Sequence, residues 1–144
     1  MTVVRDSRQA ALAELQAVGA GLLVRYRELL DSGMDPALGG VLSGIVYGRE
    51  PLLNRLAALA GRRDDQPTAA DQERNEYRAI ADRASRWVEG EQGMLRRIVE
   101  DERDWRERLE RASGLSWEDG ERRLFIGLEG EAEQALRRLQ ALAA

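Results

Sequence analysis

Apolar residues recur every three or four positions in four separate stretches of this chain. Nowhere do apolar and polar residues alternate over several positions, as they do in a half-buried strand. Spacings of three and four place side chains on one face of an α-helix, whereas a strand has a period of two. The sequence therefore predicts an all-α protein with four helices, folded as a single domain over residues 1–144.

Turn signals separate the four stretches. Gly33 ends the first, Asp35 and Pro36 begin the second, a polar loop covers residues 61–67, and Ser116 begins the fourth. The short connections after the first and third stretches predict an antiparallel up-down-up-down four-helix bundle.

Two helices of this bundle carry residues that disfavour a straight helix. The third is long, and we expect it to bend at residues 89–93, where two glycines weaken a helix by about 1 kcal/mol each. In the second, Pro51 removes one backbone hydrogen bond. Pro51 therefore predicts a kink at residues 47–50, or a short break followed by a new helix start at Glu50.

The composition excludes several kinds of chemistry. The chain has no histidine and no cysteine, and all 22 basic residues are arginine. Zinc-thiolate sites, thiol nucleophiles, histidine bases and Schiff-base lysines are therefore excluded. No catalytic motif stands out, so we expect a protein that is not an enzyme and has no cofactor.

Charge and hydropathy point to a cytoplasmic protein. The formal net charge is −4, which disfavours nucleic acid as a partner. No apolar run reaches the ~20 residues of a membrane-spanning helix, and the first residues lack the apolar core of a signal peptide. We expect a homodimer or a helical protein partner, and no membrane partner.

Three glycines in the second helix have a spacing of four: Gly40, Gly44 and Gly48. Glycine at that spacing lets two helix backbones come close together. The close approach can lie inside the bundle, or it can form a face for a homodimer or another protein. Membrane insertion is a weaker alternative, because the uncharged run covers only residues 36–48.

Charged residues interrupt the apolar faces. Arg49, Glu91 and Glu102 fall on apolar stripes, and Glu131 borders one. A buried charge is costly unless it is paired, so we expect an Arg49–Glu102 pair, with Glu131 as a third member and a separate partner for Glu91. Two alternatives stay open: the side chains reach water at the bundle edge, or the carboxylates form a metal site or a catalytic pair.

Short matches in the first hairpin resemble ferritin-like four-helix bundles, in particular the small bacterial proteins of the DUF2383 type. The matching residues are Tyr26-Arg27-Glu28, Asp35-Pro36-x-Leu38, Arg49 and Leu56. Trp105-Arg106-Glu107 in the third helix is similar to the first of these motifs, which suits the duplicated helical hairpin of that fold.

The resemblance also has implications for metal binding. Di-iron members of the ferritin-like family carry Glu-x-x-His on the second and fourth helices. The corresponding stretches here are Arg49-Glu50-Pro51-Leu52 and Glu129-Gly130-Glu131-Ala132, and both lack histidine. The resemblance therefore implies a bundle without the metal centre, in which the Arg49–Glu102 pair takes its place.

A second resemblance involves the leucines of residues 49–59 and the Gly61-Arg62-Arg63 that follows them. This pattern is similar to the helical hairpin of flagellar and type III export chaperones of the FlgN or FliT kind, which bind a partner's amphipathic helix. Three hypotheses follow from the sequence: a non-catalytic, homodimeric ferritin-like bundle that acts as a structural or interaction module, an export chaperone or adaptor, and a metal-binding protein that uses only carboxylates.

Overall fold

A computed structural model of the chain describes residues 6–62 and 69–143, with the side chains of residues 6–61 and 90–143. The described part consists of four helices: α1 (Ser7–Asp31), α2 (Pro36–Arg62), α3 (Ala69–Ser113) and α4 (Asp119–Ala143). No strand occurs in it. The all-α, four-helix prediction is confirmed. The predicted loop at residues 61–67 lies partly outside the described residues.

Local polar contacts explain where α1 and α2 begin. Asp6 caps α1, because its side chain accepts a hydrogen bond from the backbone of Gln9 and the Gln9 side chain accepts one in return. The Asp35 carboxylate accepts hydrogen bonds from the backbone N–H groups of Ala37 and Leu38, just before α2. Gly33 between the helices has φ 78°, a conformation that favours glycine.

The start of α4 differs from the prediction that Ser116 caps it. The helix begins at Asp119, and the Glu121 side chain accepts a hydrogen bond from the Glu118 backbone N–H at 3.0 Å. The capping carboxylate therefore lies further along the chain than the sequence pattern suggested.

Each helix packs against two others: α1 against α2 and α3, and α4 against α2 and α3. Contacting residues show the relative directions. Along α1 and α3, Glu14 contacts Arg108 and Tyr26 contacts Glu102. A residue near the start of α1 thus meets one near the end of α3, so neighbouring helices run in opposite directions. Helices α2 and α4 are also antiparallel. Leu52 of α2 lies beside Gly127, whereas Gly44, nearer the start of α2, lies beside Arg138, nearer the end of α4.

This pairing differs from the up-down-up-down bundle that the sequence predicted, in which α1 and α3 would be parallel. Here α2 and the last part of α3 are both antiparallel to α1, so they run in the same direction. The chain between them must return along the bundle. The helical residues 69–89 are ~32 Å long, which is close to the ~40 Å of α2. The sequence prediction described residues 61–67 as a polar loop and did not include this return.

Helix α3 contains a non-helical residue at the position where two glycines predicted a bend. Gly90 has φ 69° and ψ −164°, which interrupts the helical backbone. In α2, by contrast, the helix is continuous through Pro51, so the alternative of a break and a new start at Glu50 is wrong. Tyr47 and Pro51 are both on the exposed side, where water can bind the carbonyl that proline leaves unpaired.

Candidate functional site

One polar side chain from each helix meets at the centre of the bundle. We call these four residues the central cluster: Tyr26 of α1, Arg49 of α2, Glu102 of α3 and Glu131 of α4. Tyr26, Arg49 and Glu102 are completely buried, with 0% of their surface exposed. The Glu131 side chain keeps 15% of its surface exposed at the seam between α2 and α4. The cluster is therefore an internal site with a single member that reaches water.

The Arg49 guanidinium lies between the two carboxylates. It donates two parallel hydrogen bonds to Glu102, from Nη1 to Oε1 and from Nη2 to Oε2, both at 2.7 Å. It also donates to Glu131, from Nε to Oε1 at 2.5 Å and from Nη2 to Oε2 at 3.2 Å. Two-pronged pairs of this kind are the strong form of the arginine–carboxylate interaction. Arg49 thereby links α2 to both α3 and α4.

Tyr26 extends the cluster to α1. Its hydroxyl donates a hydrogen bond to Glu102 Oε1 at 2.6 Å, so this oxygen accepts bonds from two helices. The sequence analysis did not assign the Tyr26 hydroxyl a partner. A buried tyrosine hydroxyl usually has a hydrogen-bond partner, and that rule was the available signal.

Aromatic and charged side chains surround the cluster. The Arg49 guanidinium carbon lies 5.8 Å from the centre of the Trp105 ring, within the range of a cation–π interaction. Next to the cluster, the buried Arg25 forms an ion pair with Asp101. The sequence prediction missed this second pair, because Arg25 stands beside the apolar stripe and not on it.

Burial and charge shift the pKa values of three cluster members. Burial alone would lower the pKa of Arg49, but the Glu102 and Glu131 carboxylates raise it above its ordinary value. Burial raises the pKa of Glu131, although the Arg49 charge acts in the opposite direction. Burial also raises the pKa of Tyr26 well above its ordinary value, and the negative charge of Glu102 adds to this effect. Arg49 is therefore a permanent cation, and burial disfavours the charged form of Glu131.

The cluster does not fit a di-iron centre. A metal ion would need the oxygen lone pairs of Glu102 and Glu131, and these oxygens already accept four hydrogen bonds from Arg49. A guanidinium has donors and no acceptor, so Arg49 cannot itself be a ligand. Among the described residues, no group of three or more acidic side chains is arranged to hold a metal ion.

Glu91 lies outside the cluster. The sequence prediction grouped it with the buried polar residues, whereas its side chain is exposed. It follows Gly90 directly, in the first turn after the helix interruption. It is also ~16 Å from the level of Glu102 along the helix. Because this end of α3 is open to water, Glu91 does not need the separate buried partner that the sequence suggested.

Among the residues whose side chains are described, the three glycines of α2 do not bring two helices together. A Cβ atom added at Gly40 or Gly48 would meet no atom within 4 Å, and one at Gly44 would meet only the Arg138 guanidinium at 3.4 Å. A tight contact inside the described part of the bundle occurs instead at Gly19 of α1, where a Cβ atom would lie 2.7 Å from Leu53 Cδ2. Gly19 has no spacing pattern around it, so the sequence did not single it out.

The glycines lie on or beside the exposed side of α2, and we call this surface the outer α2 face. Tyr47 projects from it with 86% of its surface exposed. Its exposed residues include Pro36, Gly40, Ser43, Tyr47, Gly48 and Pro51, together with the charged Glu50, which pairs with Arg27 of α1. The other large exposed apolar residues of the described chain, Val24 and Ile126, lie on α1 and α4.

A groove of about 460 Å³ lies between α3 and the end of α4. Leu95 and Val99 form its apolar floor, and charged or polar side chains, including Arg96, Glu100 and Gln140, surround it. No helix in the described part of the chain is both long and apolar enough to cross a membrane.

Comparisons of the chain with protein-family models, with curated proteins and with solved structures give no match.

Proposed function

We propose that this protein is a non-catalytic, ferritin-like helical bundle that acts as a structural or protein-interaction module. The proposal rests on one observation: the charged groups at the centre of the bundle bind one another. Arg49 directs four hydrogen bonds at two carboxylates, and Tyr26 directs a fifth at one of them. The place where bundles of this kind hold a metal or a substrate is therefore filled by the chain's own side chains.

The order of the helices supports the ferritin-like part of the proposal. Two antiparallel hairpins, α1 with α2 and α3 with α4, are joined by a connection that returns along the bundle. One long crossover of this kind distinguishes ferritin-like folds from simple up-down-up-down bundles. The central cluster takes one residue from each helix, as the metal centre of such bundles does.

A metal measurement tests this proposal against the metal-binding hypothesis. Native protein should contain iron, manganese or zinc well below one equivalent per chain. Iron(II) added to the protein in air should oxidise no faster than in buffer without protein. The control variant Arg27→Leu, which alters an exposed arginine, should give the same rate. Stoichiometric metal in native protein, or oxidation faster than in buffer, would overturn the proposal.

The groove between α3 and α4 favours a second candidate function, in which the bundle binds an amphipathic helix of a partner, as export chaperones do. An apolar floor with a charged rim matches one face of such a helix. Leu95→Glu should then abolish binding of a fluorescent amphipathic helical peptide, whereas Glu91→Gln, at an exposed site nearby, should leave it unchanged. Equal binding by both variants would rule out this groove.

A further inference from the structure

We infer that Glu131 is a proton-binding site at the exposed edge of the central cluster, and that proton uptake there strengthens the bundle as the pH falls from neutral to mildly acid. The inference concerns control of the fold by pH. It goes beyond the proposed function, because the site would act in the same way whatever the bundle binds.

The first argument is that the central cluster does not balance its own charge. Arg49 supplies one positive charge, whereas Glu102 and Glu131 supply two negative charges when both are ionised. In the described part of the chain, no other cation forms an ion pair with either carboxylate. An unbalanced charge inside a protein is costly, and a carboxyl group that keeps its proton avoids this cost. One bound proton makes the cluster neutral.

The second argument is that the hydrogen bonds leave one oxygen weakly held. Both oxygens of Glu102 accept short bonds, from Tyr26 at 2.6 Å and from Arg49 at 2.7 Å. On Glu131, Oε1 accepts a bond from Arg49 Nε at 2.5 Å, whereas Oε2 accepts one from Arg49 Nη2 at 3.2 Å, the longest of the cluster. Hydrogen bonds to the charged form of a carboxylate oppose protonation. The geometry therefore places the proton on Oε2 of Glu131, where it displaces the weakest bond.

The third argument is access to water. The Glu131 side chain keeps 15% of its surface exposed, whereas Tyr26, Arg49 and Glu102 are 0% exposed. A proton from the solvent can therefore bind Glu131 while the bundle stays closed. The same proton could reach Glu102 only if the helices separated.

Charged groups on three helices act on Glu131. Arg49 of α2 favours its charged form, and so does Arg138, two turns further along α4, whereas Glu102 of α3 disfavours it. Burial is the largest influence, and it raises the pKa of Glu131 above its ordinary value. This direction agrees with the charge count and the hydrogen-bond geometry, so the folded protein holds the proton to a higher pH than the unfolded chain does.

The effect on stability has a definite sign. Folding takes up a proton between the ordinary glutamate pKa of about 4.3 and the raised pKa of the folded protein. The stability that Glu131 contributes is therefore complete below about pH 4.3 and is lost as the pH rises through the folded pKa. A carboxylate that is ion-paired in the folded state has the opposite effect, because acid removes its stabilising charge.

Thermal unfolding of Glu131→Gln tests the inference, since glutamine is neutral at every pH. The Tm of the native protein minus the Tm of this variant should increase as the pH is lowered from about 7.5 to about 4.5. Glu133→Gln is the matched control, because it alters an exposed carboxylate of the same helix, paired with Arg137 on the surface. Its Tm difference from the native protein should stay constant or decrease over the same range.

Carbon-13 NMR of the glutamate carboxyl groups measures the proton itself. One carboxyl signal of the native protein should have its midpoint above about pH 4.3, and Glu131→Gln should lose that signal. Glu102→Gln removes one of the two negative charges, so the midpoint of Glu131 should fall in this variant.

Three results would overturn the inference: a Tm difference for Glu131→Gln that does not increase toward acid, a late titration that persists in Glu131→Gln, or an unchanged midpoint in Glu102→Gln. None of them affects the metal measurement, so failure of the proton site and failure of the proposed function can be distinguished.

Discussion

Two residues of α2 that are only two positions apart reverse the usual pattern, in which charged side chains are exposed and aromatic ones are buried. Arg49 carries a permanent charge and is 0% exposed, while Tyr47 is aromatic and 86% exposed. Arginine is almost never fully buried unless it is paired, and a large aromatic residue is seldom this exposed. The inner side of α2 therefore has to satisfy a buried charge, whereas its outer side exposes an aromatic ring to water.

On the inner side, the other three helices satisfy the charge: Glu102 and Glu131 bind Arg49, and Tyr26 binds Glu102. A misplaced helix would leave a buried charge unpaired, so the central cluster penalises other arrangements of the helices. On the outer side, no residue of the described chain covers Tyr47 or the open glycines. The inner side explains the fold, whereas the packing of the described residues does not explain the outer side.

Removal of the buried Arg49 charge should have the largest effect on stability. Arg49→Leu should lower the free energy of unfolding by about 3–5 kcal/mol, because Glu102 is left buried and unpaired. Arg27→Leu is the matched control. Arg27 is an exposed arginine paired with Glu50, and its loss should cost less than about 1 kcal/mol. Urea unfolding measures both, and equal effects would mean that Arg49 is solvated.

The two carboxylates should differ in the next largest effect. Glu102 accepts bonds from Arg49 and Tyr26 and is fully buried, so Glu102→Gln should cost about 3 kcal/mol. Glu131 is partly exposed, and burial already raises its pKa, so Glu131→Gln should cost about 1 kcal/mol. Thermal unfolding of the two variants under identical conditions measures this difference. Glu102→Gln should have the lower Tm, and a lower Tm for Glu131→Gln would contradict the described burial.

Tyr26→Phe should have a smaller effect that depends on pH. It removes one hydrogen bond to a charged group, which costs about 1.5–3 kcal/mol at neutral pH. In the folded protein the Tyr26 pKa is raised, so the folded state keeps a proton that the unfolded chain releases above about pH 10. Stability from this group is therefore complete below pH 10 and decreases as the pH rises.

Tyrosine ionisation, followed by ultraviolet absorbance, checks this prediction. In the native chain one tyrosine should ionise only together with alkaline unfolding, and in Tyr26→Phe that late component should disappear. An unchanged late component would place another tyrosine in the centre of the bundle.

The smallest effect concerns the glycines and should have opposite signs at two sites. Gly48→Ala adds a methyl group to open space and should stabilise the protein by up to about 1 kcal/mol, since alanine favours helix. Gly19→Ala should destabilise it by about 1–3 kcal/mol, because its Cβ would lie 2.7 Å from Leu53 and 3.0 Å from Trp105. Calorimetry of both variants at low protein concentration measures the monomer, and the same sign at both sites would contradict the described packing.

The sequence predicted the four helices and brought Arg49, Glu102 and Glu131 to one level. It did so although its helix order was wrong. The turns near Gly33 and Gly114 lie at opposite ends of the bundle, whereas an up-down-up-down order would put them at the same end. Arg49 and Glu102 are each near the middle of their helix, so they meet in either arrangement.

Three other features could not be predicted, for physical reasons. The return of the chain between α2 and Gly90 depends on which helices pack together, and periodicity does not encode packing partners. Glu91 and Glu102 lie on the same side of their helix, so periodicity predicts the same burial for both. Glu91 is nevertheless exposed, because it lies at an open end of the helix, next to Gly90. The open space at Gly40 and Gly48 depends on the distance to other helices, which the spacing of glycines along one helix does not report.

A double-mutant cycle on Arg49 and Glu102 tests the central claim most directly, with the free energy of unfolding measured for Arg49→Leu, Glu102→Leu and the double variant. The free energy of unfolding of the double variant should exceed the value expected from adding the two single effects by at least about 3 kcal/mol. The reason is that removing both partners leaves neither an unpaired Arg49 charge nor an unpaired Glu102 charge. Additivity within about 0.5 kcal/mol would show that the two side chains do not interact, and would contradict the account.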